Sequence, residues 1–229
     1  MAKIRKLSVF IWCTLLIVGF NTRSFAQDTY YVENPRTFNA GLVGGANFTQ
    51  VDGDYYAGYH RVGINAGGII YTRISNNLQL SLEILYSQKG SHSDRERYTL
   101  DKNYLISKYD INLHYAEVPL MLSVFDKHRS HFGAGLSFSR LITYNETATV
   151  ISTSPTLPPY SVPDFYKEYP FKKYDVQFVV GGNLHLVGGF YLNARFQYSL
   201  MPVHTKLSPD FARANQYNNV WTIRVMYLF

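Results

Sequence analysis

Glu83, Glu117, Arg195 and Arg224 each fall where charge is costly to keep. The two glutamates lie on the polar faces of the third and fourth of eight alternating segments, the two arginines on those of the seventh and eighth. If these segments close into a barrel, the four side chains face a narrow interior, where charges are tolerated only when paired. The pattern predicts a structural ion-pair network, with a proton or solute path as the functional alternative. Carboxylates facing arginines do not make a glycosidase site, which needs an open cleft and a raised carboxyl pKa. Nucleophile and base candidates are Ser137, Ser139 and His185 near Asn183, but no motif joins them into one constellation. His128 and His131 share a polar turn without a third ligand, so both read as solvent-exposed, and no metal or cofactor is expected. Gly44-Gly45, Gly67-Gly68 and Gly181-Gly182 lie inside strands, where they relieve crowding rather than cradle phosphate. The chain therefore reads as non-enzymatic.

Strands must position these residues. Alternation with period 2 recurs in eight segments, near 38–50, 58–73, 78–90, 109–125, 131–144, 173–187, 190–200 and 219–229. In the last, Trp221, Ile223, Val225, Tyr227 and Phe229 share one face. The fourth has a fault: Ile111, Leu113 and Tyr115 are odd-numbered, whereas Val118, Leu120, Leu122 and Val124 are even. A bulge or a membrane exit is expected near His114. Short turns at 75–77, 126–130 and 188–189 alternate with mostly longer polar connections at 51–57, 91–108, 145–172 and 201–218. That alternation is how outer-membrane barrels are built.

Composition agrees with a single domain: 229 residues, 46% hydrophobic, 16% aromatic and 17% charged, too apolar for disorder and too uncharged for a helical bundle. Residues 1–26 read as a signal peptide. Lys3, Arg5 and Lys6 precede an apolar run from Leu7 to Phe20, and Ser24-Phe25-Ala26 offers a cleavage site before Gln27. Cys13, inside that run, is misplaced for lipid anchoring. The leader holds four of the 22 basic residues and no acid, so residues 27–229 carry 18 basic against 16 acidic groups, a net +2. No basic patch remains for nucleic acid, and no cysteine for a disulfide.

A secreted β-sandwich would also alternate, but several features favour a barrel. Segments of about ten residues match the 9–11 that cross a bilayer when tilted. Tyr86, Phe190, Tyr198, Trp221, Tyr227 and Phe229 place rings on the apolar face near segment ends, as at a bilayer interface. Trp221, Tyr227 and the terminal Phe229 resemble the signal read by the barrel-assembly machinery. The fold expected is an all-β, eight-stranded antiparallel up-and-down transmembrane barrel, following the cleaved leader and multi-pass in the bacterial outer membrane.

Three segments carry a family resemblance. Tyr115-Ala116-Glu117-Val118-Pro119-Leu120-Met121-Leu122, Gly41 to Phe48 and Leu82 to Gly90 resemble elements of the PorT-like outer-membrane β-barrel family of Bacteroidetes. The resemblance implies an outer-membrane β-barrel domain over 27–229, in contact with outer-membrane lipid. Because that family's founding member is linked to type IX secretion, it also suggests an accessory subunit of a secretion or uptake complex as an alternative. A membrane-embedded lipid hydrolase is a third reading. The leading expectation is a lumen filled by side chains, with the extracellular loops as the interaction surface. The 145–172 connection holds five prolines, and Tyr144, Tyr160, Phe165, Tyr166, Tyr169 and Phe171 lie at or between its ends. Those rings either meet an envelope protein or glycan, or fold over the barrel mouth as a lid.

Overall fold

The computed structural model describes residues 38–229 except 57, 127, 206 and 207, so the expected leader, the expected cleavage site and Cys13 lie outside the described residues. Nine strands follow in chain order: β1 (Phe38–Asp54), β2 (Arg61–Arg73), β3 (Leu78–Ser93), β4 (Arg97–Tyr98), β5 (Tyr104–Phe125), β6 (His131–Ser152), β7 (Tyr174–His185), β8 (Phe190–Ser199) and β9 (Ala212–Leu228). Each pairs antiparallel with its neighbours, β9 returns to β1, and β3 pairs directly with β5, closing a ring of eight with the two-residue β4 outside it. Closure satisfies the backbone groups within the wall, which is the condition for crossing hydrocarbon with strands.

Alternation assigns the two faces. Leu42, Ile84, Leu120, Leu136, Phe178 and Ile223 point outward and stay exposed, Ile84 to 70%. Asn47, Asn65, Glu83, Glu117, Gln177, Asn193 and Arg224 point inward and are buried. This is the inverse of a soluble protein and places an apolar band against lipid. Rings flank the band: Phe190, Tyr227 and Phe229 cluster at the end carrying the short turns. Phe196 and Trp221 meet nearer the opposite end, and Tyr198 stacks on Tyr217.

The fault in the fourth segment is resolved by β5 and β6 together. Inward burial of β5 runs unbroken through odd residues, from Tyr109 to Ser123, so its side chains never change face. What changes is the surroundings. From Val118 onward the outer face meets lipid and the inner face is polar, whereas Ile111, Leu113 and Tyr115 point inward at a second, apolar core above the bilayer. The bulge lies on the partner strand, where His114 faces Thr143 but Tyr115 faces Leu141, leaving Ile142 unpaired at the exit. Beyond it, β5 and β6 continue as a hairpin ending at Tyr104 and Ser152. Residues 104–108 and 145–152, expected in loops, therefore belong to strands, as do 212–218. Their outer faces meet water, so the lipid-type alternation stops while the ladder continues.

Inward-facing glycines let adjacent strands approach. A Cβ on Gly45 would sit 2.2 Å from the carbonyl oxygen of Ile223 and 2.4 Å from Cβ of Arg224, and one on Gly181 2.6 Å from Cβ of Arg195. Two of the expected crowding-relief glycines thus flank the two interior arginines.

An arginine at Leu120, in the outer band, is expected to destabilise the barrel by about 2–4 kcal/mol, the cost of a cation near the bilayer midplane. Urea titration of folding into lipid vesicles measures it, with Thr147→Arg above the band as the neutral control.

Candidate functional site

The interior is layered. At the short-turn end, Val43, Ile69, Tyr71, Leu85, Tyr191 and Met226 form an apolar floor. His131, expected in solvent, is the first inward residue of β6 and is buried there, its ring stacked on Phe125 at 3.9 Å and bonded to the Tyr71 hydroxyl at 2.8 Å. His128 remains exposed in the turn, 3.7 Å from Asp126.

Above the floor the charges sit in two groups. Glu83 takes Arg195 Nη2 on Oε1 and Arg224 Nη2 on Oε2, each at 2.7 Å. Arg224 is completed by Asn193 Oδ1 at 2.7 Å and Asn65 Oδ1 at 3.0 Å, so its fork has matched acceptors. Glu117 joins neither arginine. It pairs with Lys89 at 2.9 Å and accepts hydrogen bonds from Ser137 Oγ at 2.8 Å and Gln197 Nε2 at 3.0 Å. Lys89 also donates to Gln177 Oε1. The single network expected from the sequence is therefore two, and its missing member is Lys89. Lys89 falls on the inward parity of β3, inside the 78–90 segment, so alternation alone is the signal that places it in the lumen. Asp175 completes the layer, accepting from Ser199 Oγ at 3.0 Å and Asn218 Nδ2 at 2.9 Å. Glu83, Glu117 and Asp175 balance Lys89, Arg195 and Arg224, three against three.

The other sequence candidates are not brought together. Ser137 is committed to Glu117, Asn183 accepts from Asn193 Nδ2 at 2.7 Å, and His185 Nε2 meets the Gly188 carbonyl at 2.9 Å in the β7–β8 turn. Trp221, Tyr227 and Phe229 stand on the outer side at the end of the chain, with Trp221 and Tyr227 facing out from β9, and the Phe229 N–H donates to Ala40 O at 2.9 Å.

Above the charges, at the end carrying the long connections, lies a cap. Tyr109, Ile111, Leu113 and Tyr115 from β5 pack against Phe165 and Phe171 of the 153–173 connection and against Val203 and Phe211 of the 200–211 connection. A one-turn helix, Phe165–Glu168, capped by Asp164, turns Phe165 inward. The lid reading of the aromatic loop thus holds for Phe165 and Phe171, while Tyr166 keeps 52% of its surface exposed. Asp210 ties the connections together. Its Oδ1 accepts from Leu100 N at 2.9 Å, its Oδ2 from Tyr160 OH at 2.9 Å, and its carbonyl from Arg97 Nη1 at 2.9 Å. His204 bridges Gln216 Oε1 at 2.8 Å and the Tyr169 carbonyl at 2.9 Å.

Two buried carboxyls in the cap have no ion-pair partner among the described residues. Glu146 accepts from the Tyr109 hydroxyl, and burial pushes its carboxyl up to about 7. Asp54 accepts from Ser91 Oγ and the Tyr56 N–H, both at 2.8 Å, yet burial still raises it to about 6.

Because Glu146 titrates higher in the folded state than in the unfolded chain, the folded state binds more protons between the two values. Stability is then lost as pH rises through about 7. The change is on the order of 3 kcal/mol at 1.36 kcal/mol per unit. Urea unfolding in micelles at pH 5 and pH 8 is expected to show this loss, and Glu146→Gln to reduce it. In the lumen, Lys89→Met strands Glu117 and is expected to cost about 3–5 kcal/mol. Adding Glu117→Gln recovers part of the loss, whereas adding it to Arg224→Met recovers none, which a double-mutant cycle reads directly.

Comparison with solved structures finds outer-membrane barrels at low identity. The attachment invasion locus protein Ail of Yersinia pestis is 12% identical, with a TM-score of 0.41, over 85% of this chain and 100% of that one. Neisserial surface protein A is 11% identical, with a TM-score of 0.44, over 85% and 98%. The outer membrane protein AlkL is 14% identical, with a TM-score of 0.37, over 89% and 97%. No curated protein shows significant sequence similarity. Residues 25–205 match the family model described as outer membrane protein beta-barrel domain, which leaves residues 1–24 and, at the other end, the last strand and its approach beyond the match. With a closed eight-strand ring, a lipid-facing band and this match over most of its length, the chain belongs to the outer membrane protein beta-barrel domain family.

Proposed function

We propose that this protein is a non-enzymatic outer-membrane barrel that works through its extracellular cap, with a lumen that does not conduct. One observation carries this reading: the polar layer is charge-balanced and packed, while the ordered structure outside the bilayer includes a hairpin reaching Tyr104 and Ser152 and connections joined at Asp210. Glu83 alone spans from β3 to Arg195 of β8 and Arg224 of β9, so the network crosses the lumen it fills. The cap's partner is an envelope protein or surface glycan, met by the outer surface of the 145–172 region and its neighbours. Exposed Tyr98, Leu100, Ile151 and Tyr166 support that reading, since each leaves an apolar or aromatic side chain in water above the lipid band. The Tyr115 to Leu122 element supports placement in the PorT-like branch found in Bacteroidetes. The outward Trp221, Tyr227 and Phe229 support reading the C-terminus as the assembly signal, after export by the 1–26 leader.

Replacing residues 153–168 with a short Gly/Ser linker is expected to leave the barrel folded, seen as a heat-dependent shift in gel migration, because the charge layer lies below the cut. Affinity purification of both forms from native outer membranes is expected to lose the cap's partner in the shortened form. Retention of every partner would move the interaction surface elsewhere. Planar-bilayer recordings of the parent protein are expected to show no steady ohmic conductance.

A further inference from the structure

The hairpin that rises above the bilayer has one open side. β6 pairs with β5 along its whole length, but with β7 only over His131–Arg140, and the Leu141 N–H is the last to reach across, to Lys173 O at 2.8 Å. From Thr143 to Ser152, β6 therefore has a strand on one side only. The direction of its backbone groups follows from two bonds. Tyr144 O accepts from the Tyr166 hydroxyl on the loop side, and Thr149 O accepts from Ser107 Oγ on the β5 side. Alternation then turns the N–H and C=O of Glu146, Ala148 and Val150 to the open side. Among the described residues, none of these groups has a hydrogen-bond partner there.

The 153–173 connection runs alongside this edge without pairing to it. Two clefts separate them, one of about 310 Å³ between Glu146–Ala148 and Val162–Tyr166, the other of about 660 Å³ between Val150–Ser154 and the Pro155–Tyr160 stretch. Pro155, Pro159 and Pro163 stand on the far walls, and a residue without an N–H cannot complete a ladder. An unpaired edge that its own loop cannot cover is a template for an added strand.

We infer that the edge of β6 from Glu146 to Val150 is a docking site for an extended segment of a partner polypeptide, added as a strand between β6 and the proline-rich connection. This rests on the cap being the interaction surface and names the kind of partner it takes. Donor and acceptor groups repeat along the edge every two residues, about 6.8 Å. Only another polypeptide backbone offers the complementary repeat in register; a glycan or lipid headgroup does not. Side chains of the added strand that turn toward the cap meet Val162, Phe165 and Tyr160, so alternate positions are apolar. Those that turn outward lie beside Thr147, Thr149 and Ile151, which carry no charge.

The probe is a fluorescent peptide with the sequence of residues 104–113, a segment that already forms an antiparallel strand against β6. Full-length protein in micelles is expected to bind it saturably. Ala148→Pro removes an N–H that the β5 ladder does not use, as prolines on edge strands do, and is expected to weaken binding at least tenfold while gel migration stays heat-dependent. If that variant fails to fold, a peptide N-methylated at alternate amides is tested against the parent protein, with the same tenfold loss expected. Equal binding by the parent and Ala148→Pro, or by the plain and N-methylated peptides, would overturn the site. So would amides of Glu146, Ala148 and Val150 exchanging as slowly as those of Thr147 and Thr149. The peptide reads the edge alone and loop shortening reads native partners, so peptide binding that depends on Ala148, with every native partner retained, would sink the cap as interaction surface and leave the edge standing.

Discussion

Hydrocarbon offers no hydrogen bonds, and that single constraint organises this molecule. Every backbone N–H and C=O within the bilayer needs a partner in the wall, so the chain closes through the β3–β5 and β1–β9 pairings. Closure at eight strands then fixes a lumen of side-chain width. Side chains of alternate parity are committed to one of two surroundings, lipid or lumen, and the lumen takes the polar set.

The second consequence is electrostatic. Charges buried in so narrow a space must sum to near zero and meet partners directly: three acids stand against three bases, Glu83 and Glu117 are ion-paired, and Asp175 is held by the neutral donors Ser199 and Asn218. Glu83 holds two arginines with one carboxylate, while Glu117 is matched by one lysine and two neutral donors. Such a layer fills the interior and orders eight strands around it. Replacing Lys89 leaves Glu117 with no buried cation to meet, the kind of change that breaks a buried pair at a high cost in stability.

Above the lipid the rules reverse within the same strands. At Tyr115 the inward face of β5 turns from polar to apolar because its surroundings change from a charged lumen to a core roofed by Phe165, Phe171, Val203 and Phe211. The outward face, now in water, loses its apolar residues. The cap is therefore a small water-soluble domain built on membrane strands, with soluble-protein problems of its own. Among the described residues, two buried acids, Asp54 and Glu146, form no ion pair, and the upper β6 edge has no paired strand.

The sequence by itself determined the eight spanning strands, the parity of their faces and the inward position of Glu83, Glu117, Arg195 and Arg224. All of these follow from a period of two read against two fixed surroundings. It also marked the membrane exit near His114, because the apolar set changes parity where the surroundings exchange. Only the tertiary structure decided the pairing inside the lumen. Depth and rotation around the ring depend on strand stagger, which alternation does not encode, so Glu117 meets Lys89 rather than an arginine. Nor could periodicity reveal that residues 145–152 continue β6 or that Phe165 and Phe171 turn inward. Once a strand leaves the bilayer, its faces are defined by whatever loop folds against it, and that contact exists only when the chain is folded.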